Sequence, residues 1–319
     1  MSDKDVELQA IITRFRAYQL GSKGSSFSYF SENNFTLVEA RLNDMNEPSL
    51  DEELGICNKK SIDCLHITSW DQDHCSCGDL EKILEKYTPS KIEYPGYSPH
   101  TDNGINALAI IKKYNQNRAY SKIKKIDPPY IKSLTTSKGV GYSDIYLHPR
   151  EIVDHSNDNS TVKVFRSGMF NVASLGDIES SNISSMLRMT RVFSQEIDVL
   201  ILAHHGADVD ANSKSFFRIV KPQVAICTSN YDNQYEHPVK RVQNDLHDLD
   251  IPIFTTKTGD VIIESSGSHI KTFTIKNYIS NGDKLSRTET FTSKKFSLLR
   301  NNQDTLRNIR TPGQKAPKK

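Results

Sequence analysis

The chain has 319 residues, 36% of them hydrophobic and 25% charged, enough for one large domain or two ordinary ones with a buried core. No apolar run approaches the roughly 18 residues of a membrane helix, and the acidic, polar start MSDKDVELQA is unlike a secretory signal, so the sequence reads as soluble and cytoplasmic, without a membrane partner. Five cysteines are too few and too irregularly spaced for a disulfide scaffold or a zinc finger, and they read as reduced, buried thiols. The formal net charge of +2 hides an asymmetry: residues 279–319 carry ten Lys and Arg against three acids, which leaves the first 278 at −5.

In chain order, after an N-terminal extension over 1–10, the β-branched and aromatic runs IITRFRAYQL (11–20), FTLVEARL (35–42) and IDCLHIT (62–68) predict strands. GDLEKILEKY (79–88) and NGINALAIIKKYNQNRAY (103–120) have helical spacing, and TVKVFRSGMFNVASLGD (161–177) predicts a hairpin turning at Ser167-Gly168. SSNISSMLRMTRVFS (180–194) reads as a helix behind a serine cap. VLILAH (199–204) and VAICTS (224–229) are continuous apolar runs, as strands buried on both faces require, with SKSFFRIV a short helix between them. PVKRVQNDLHDL (238–249) predicts a helix with Pro238 in its first turn, and PIFTT, GDVIIESS and HIKTFTIK predict strands. The result is a layered α/β domain over 11–278 with mixed sheets, followed by a basic, partly disordered tail over 279–319.

Four groups of chemically competent residues each sit just past a predicted strand. The first is Asp71, Asp73 and His74 in SWDQDH, carboxylates and an imidazole that suit zinc, manganese or iron, although a capped polar turn would also produce them. The second is Asp177 after Gly176, which alone is an ordinary turn. The third is His204-His205, of which a satisfied core histidine explains one more easily than both; the fourth is Asn233 to His237, before Pro238. Loops at the same edge of an α/β sheet converge, so Asp71, Asp73, His74, Asp177 and His204 make a candidate ligand set, with His205 and His237 nearby, enough for two ions bridged by an aspartate. Which of His204 and His205 is the ligand stays open.

In order and spacing, LGSKGSS (20–26), ITSWDQDH (67–74), NDNSTVKVF (157–165), LGDIES (175–180), HHGADVDANS (204–213) and NQYEHP (233–238) resemble the motifs of the metallo-β-lactamase superfamily, and more closely those of ComEC-type competence nuclease domains. The resemblance runs from about residue 11 to 276. It implies an αββα sandwich of two mixed sheets with outer helices, and a hydrolase that uses one or two divalent ions, zinc or manganese first and magnesium as an alternative. It also points to a phosphodiester of DNA as substrate, with Asp73, His205 and His237 as catalytic groups. Ser69 stands where the family has its first histidine, Lys23-Gly24-Ser25 where it prefers an acid, Ala207 where it has serine and Glu236 where it has glycine. Asn159 and Asn233 fall in motifs but have no assigned role. The basic residues Lys112, Lys113, Arg118, Lys122, Lys124 and Lys125, with Lys294, Lys295 and Arg300, are candidate DNA contacts, with a solvated helix face and a plain tail as the bland alternatives. Rival readings are a small-phosphodiester or cyclic-nucleotide hydrolase and a degenerate scaffold or nucleic-acid-binding protein; a protein partner is left open.

Overall fold

The structure is a computed structural model and describes residues 11–118, 121–137, 143–265, 271–279 and 284–301. The extension over 1–10 and the chain from 302 onward, including TPGQKAPKK, lie outside these residues.

The elements run β1 (Arg14–Ala17), β2 (Phe27–Ser31), β3 (Asn34–Val38), α1 (Glu47–Ile56), β4 (Cys64–His66), α2 (Cys77–Lys86), β5 (Lys91–Pro95), α3 (Asp102–Gln116), β6 (Lys122–Ile126), α4 (Pro128–Ser137), β7 (Ile145–His148), β8 (Val162–Phe165) and β9 (Val172–Ser174). They continue with α5 (Ser181–Arg188), α6 (Arg191–Gln195), β10 (Val199–Ile201), α7 (Lys214–Val220), β11 (Val224–Cys227), α8 (Lys240–His247), β12 (Ile253–Thr255), β13 (Val261–Ser265), β14 (Thr272–Tyr278), β15 (Leu285–Thr292) and α9 (Lys294–Asn301). Among the described residues one sheet has the order β15-β14-β13-β1-β2-β3-β4-β5-β6 and the other β12-β11-β10-β9-β8-β7. Both are mixed: β3 to β6 run parallel, as do β9 to β12, and the remaining pairs are antiparallel.

Side-chain alternation builds three apolar layers. Phe15, Phe27, Tyr29 and Val38 of the first sheet meet Phe165, Val172, Val199, Ile201, Val224 and Ile226 of the second. On the first sheet's far face Leu37 and Leu65 pack under Leu80, Ile83, Ala107 and Ile111 of the helices. On the second sheet's far face Leu200 and Ala225 pack under Leu187, Phe193, Phe216 and Leu246. The run VLILAH is therefore apolar because Val199 and Ile201 face the opposite sheet while Leu200 faces the helices. The architecture is an αββα sandwich.

Four expectations need correction. The segment 180–194 is two helices, because Thr190 caps the second by accepting from Phe193 N and donating to the Leu187 carbonyl. Pro238 lies outside α8, whose N-cap is Val239. The basic cluster at 112–125 does not lie along one helix but is divided between the end of α3 and β6, the edge strand of the sheet among the described residues, where lysines also deter pairing with another chain. Lys124 also lies over the Tyr130 ring at 3.9 Å and Arg118 over Tyr114 at 4.9 Å.

The expected tail instead contributes β15 and α9 to the fold. β15 extends the first sheet, Phe291 stacks on Phe273 with centroids 5.6 Å apart, and Ser293 Oγ donates to the Met169 carbonyl. Lys295 is buried and donates to the carbonyls of Arg166 and Gly168, and Lys294 donates to that of Val220. Lys294 N also donates to Asp198, the residue before β10, so α9 starts where that strand begins. These two lysines are anchors of the fold; Arg300 lies in the same helix.

Truncation after Asn277 should accordingly destabilise the protein. Phe291, partly buried, contributes less than the about 1.5–3 kcal/mol of a fully buried phenylalanine, and each carbonyl stripped of its donor while still buried costs about 1–3 kcal/mol. The melting temperature should fall on the order of 10 °C. Burial, with Arg166 nearby, pushes the Lys295 ammonium down to about 8, and burial does the same to Lys294. The unfolded chain then binds more protons than the native one between about pH 8 and the ordinary lysine value near 10.4, so stability should rise across that window. Thermal melts of the full and truncated chains across pH 7–10 check both effects, and the truncated chain should lack the rise.

Candidate metal centre

The parallel strands of both sheets end at the same edge. Past β4 the chain turns tightly, with the Asp71 carbonyl accepting from His74 N and Cys75 N, and the end of β3 holds that turn through Ala40 N to the His74 carbonyl. The Gly21–Gly24 loop packs on it: a Cβ on Gly24 would lie 2.5 Å from the Asp73 carbonyl, which Ser25 N approaches to donate at 3.1 Å. Gly176, with φ +56°, bends the chain after β9 so that Asp177 enters the same space.

Past β10 three consecutive residues, His204, His205 and Gly206, take φ of 46°, 55° and 90°. Two adjacent left-handed histidines are strained and need support. Asn212, fully buried, supplies it by accepting from Ala203 N and donating to the carbonyls of Ala203 and Ala207. Val239 N and Cys227 Sγ donate to the carbonyls of Gly206 and His205.

This turn points the two rings apart. Asp73, His74, Asp177 and His205 each offer one ligand atom, all within 4.8 Å of one another. His74 Nε2 is 2.8 Å from Asp177 Oδ2, and its Nδ1 is 3.0 Å from Glu39 Oε1. His205 Nδ1 donates to the Thr228 carbonyl at 2.9 Å. Its Nε2 is buried, has no hydrogen bond among the described residues, and stands 3.7 Å from Asp73 Oδ2 and 3.9 Å from Asp177 Oδ1. His204 lies outside the cluster, its Nδ1 2.9 Å from Glu179 Oε1. Of the two histidines, the fold brings His205 into the cluster and leaves His204, an expected ligand, outside it.

Burial alone would discharge these groups, and their mutual charges overcome it. Asp177 and Glu39 raise His74 well above its usual value against burial, and Asp177 and Asp73 raise His205. Asp177 is held at about 2 by His74 and His205, and Asp73 falls below the usual carboxylate range beside His205, His74 and Lys23.

Asp71 is not drawn into the cluster. Its Oδ2 accepts from Ser69 Oγ, which also contacts the buried Tyr97 hydroxyl at 3.0 Å, and that hydroxyl accepts from Trp70 N. Serine, aspartate and tyrosine thus close on each other. His148 ends β7 and is tied by Nε2 to the Asp158 carbonyl. Asn159 braces its own loop through Val153 and His155. Asn233 holds the next loop, accepting from His237 N and donating to the carbonyls of Asn230 and His237. His237 stacks on Tyr235 at 5.5 Å and lies 6.1 Å from the His204 ring. Burial, with His205 and His204 nearby, lowers it to about 4, so its ring is neutral near pH 7. Glu236, where the resemblance expects glycine, takes φ 54°.

Glu39, Asn212, Tyr97 and Thr228 were not singled out in the sequence. Glu39 accepts from Thr68 N and Thr68 Oγ1 and turns His74 toward Asp177. Only its place directly after a strand, as for the other site residues, marks it.

The donor set fits a divalent cation. Each imidazole has one nitrogen held by a carboxylate or a carbonyl and the other aimed inward, as metal-binding histidines do. Two nitrogens and two carboxylates suit zinc, and the spacing of His205 Nε2 from the carboxylates is near the roughly 3.4 Å between ligands around a tetrahedral ion with bonds of about 2.1 Å.

No family model matches the chain. It is similar to "ComE operon protein 3" of Bacillus subtilis strain 168, with 24% identity over 218 residues, 68% of this chain and 26% of that protein. It is also similar to "Competence protein ComA" of Neisseria gonorrhoeae, with 29% identity over 108 residues, 33% of this chain and 15% of that protein. The chain thus spans about a quarter or less of the curated relatives it matches. Among solved structures, Tm1679, described as a metal-dependent hydrolase of the β-lactamase superfamily, aligns with a TM-score of 0.44 and 11% identity over 81% of this chain and 100% of that one. The chain resembles the metallo-β-lactamase superfamily. Within it, the resemblance is to ComEC-type proteins. No helix among the described residues is long and apolar enough to cross a membrane.

Proposed function

We propose that the chain is a metal-dependent phosphodiesterase acting on DNA, with one divalent ion held by Asp73, His74, Asp177 and His205. The observation that carries the reading is the buried, unpartnered His205 Nε2 facing two carboxylates, in a cluster whose imidazoles are already oriented from behind. A divalent ion bound there would supply Lewis acidity toward a phosphoryl oxygen and acidify a water.

The chain's own residues do the rest. Asp73, partly exposed beside Lys23, faces the opening and orients the attacking water. His237, neutral near pH 7, can offer an N–H to a phosphoryl oxygen, and Lys23 offsets negative charge on the substrate. The closed network of Ser69, Asp71 and Tyr97 favours one ion over two. DNA as substrate is supported by the likeness to competence proteins.

The test is hydrolysis of labelled single- and double-stranded oligonucleotides by the purified chain with zinc, manganese or magnesium, alongside elemental analysis. Cleavage with one ion per chain is expected. Cleavage of small phosphodiesters alone would favour the rival hydrolase, and absence of both bound metal and cleavage would favour a scaffold.

A further inference from the structure

The loop beside the metal centre carries exposed aromatic surface. Tyr231 and Tyr235, both on the loop between β11 and α8, are 72% and 50% exposed. One face of Tyr235 stacks on His237, 25° from parallel, which fixes the ring's orientation and leaves the residue half exposed. Lys23 reaches over from the opposite loop, its Nζ 5.3 Å from the Tyr235 centroid and 3.4 Å from Asp73 Oδ2, and its side chain is 60% exposed. That loop is held from behind, since Arg41 donates to the Lys23 carbonyl and pairs with Asp79. The order from the centre outward is carboxylate and imidazole donors, then an ammonium, then an aromatic face.

A nucleotide presents the complementary order: phosphate, then base. We propose that Tyr235 is the platform on which the base beside the scissile phosphate stacks, with Tyr231 further along the same loop and Lys23 on the adjoining phosphate. The substrate strand is then unpaired at that point, because a base within a duplex has both faces covered by its neighbours and must be unstacked before it meets a side chain. Stacking of one base on an aromatic ring corresponds to roughly 5–150-fold in affinity and tolerates any sequence. This inference rests on the phosphodiesterase reading and narrows its substrate to single strands, gaps or frayed ends.

The test compares a ten-nucleotide thymidine strand with a strand of the same length made only of abasic residues, so that phosphates are equal and bases are not. Tyr235→Ala should lower kcat/KM on the thymidine strand about 10-fold and leave the abasic strand unchanged, while Tyr235→Phe should behave as wild type on both. The wild type should cleave a duplex of that length more slowly than the single strand. Lys23→Gln should flatten the salt dependence of binding by about 0.7 in the log–log slope, one single-strand phosphate contact. Equal losses on both strands would show that Tyr235 merely positions His237 and would overturn the platform, as would no loss on either. A wild type that cleaves neither strand nor the duplex with any of the three ions defeats the phosphodiesterase reading itself. A wild type that cleaves both strands equally well defeats only the platform.

Discussion

Replacing His205 with asparagine should abolish ion binding and reduce hydrolysis by on the order of 1,000-fold, beyond the 10–100-fold typical of groups that only orient a ligand. The same change at His204 should stay within roughly tenfold. Asparagine is the informative substitute because it tolerates the left-handed backbone that both positions adopt, so the two variants differ in which imidazole is lost and not in strain. His205 Nε2 faces Asp73 and Asp177, and its loss leaves His74 as the one nitrogen donor beside the two carboxylates. His204 loses its contact with Glu179 and its place beside the His237 ring, at the half-buried rim. Bound metal per chain and initial rates on one oligonucleotide decide the matter, and a His204 variant as crippled as the His205 variant would show that the rings exchange places.

Metal should also be a large part of this protein's stability. A ligand that binds only the folded chain stabilises it by about 2.7 kcal/mol at 100 times its Kd and about 4.1 kcal/mol at 1,000 times. Zinc or manganese added to chelator-treated protein should raise the melting temperature by roughly 5–15 °C, and His205→Asn should remove the rise. The acid limb of the chelated protein should be set partly by Asp177. With its folded value depressed to about 2, the stability it contributes is present above the ordinary carboxylate value near 3.9 and is lost as pH falls toward 2. Melts of metal-free protein between pH 2 and 6 should show that loss, and a flat profile would mean that the carboxylate is not held by its histidines.

Much of this was legible in the sequence because the parallel strands of an αββα sandwich must be apolar on both faces, and runs such as VLILAH announce that. The rule that chemistry gathers past strand ends singles out Asp73, His74, Asp177 and the histidine pair, of which the fold gathers all but His204. What stayed hidden depended on backbone direction or long-range partners. Nothing in the letters His-His-Gly says that both histidines adopt left-handed angles, and it is that turn which sends His205 inward and His204 out. Glu39 reads as one more charge after a strand until His74 arrives from 35 residues away. Asp71 matches a ligand pattern in which Ser69 replaces the histidine, and Ser69, itself bonded to Tyr97 from beyond the reach of that pattern, engages Asp71 instead. The lysines of α9 looked like a tether because composition cannot show that Arg166, Gly168 and Val220 present their carbonyls to them. Helix α1 has too weak an amphipathic stripe to be read from its sequence, and the lysines of β6 resemble a helix face.

The histidine turn sets chemistry against endurance. A residue other than glycine held in the left-handed region costs roughly 1–3 kcal/mol, and two such residues stand side by side in a molecule of a class stable by only about 5–15 kcal/mol. Glycine or asparagine would occupy either position with less strain. In a lineage freed from the need to act on its substrate, selection for heat tolerance alone would replace these histidines early, so that decay of the activity would show itself first as a sturdier protein.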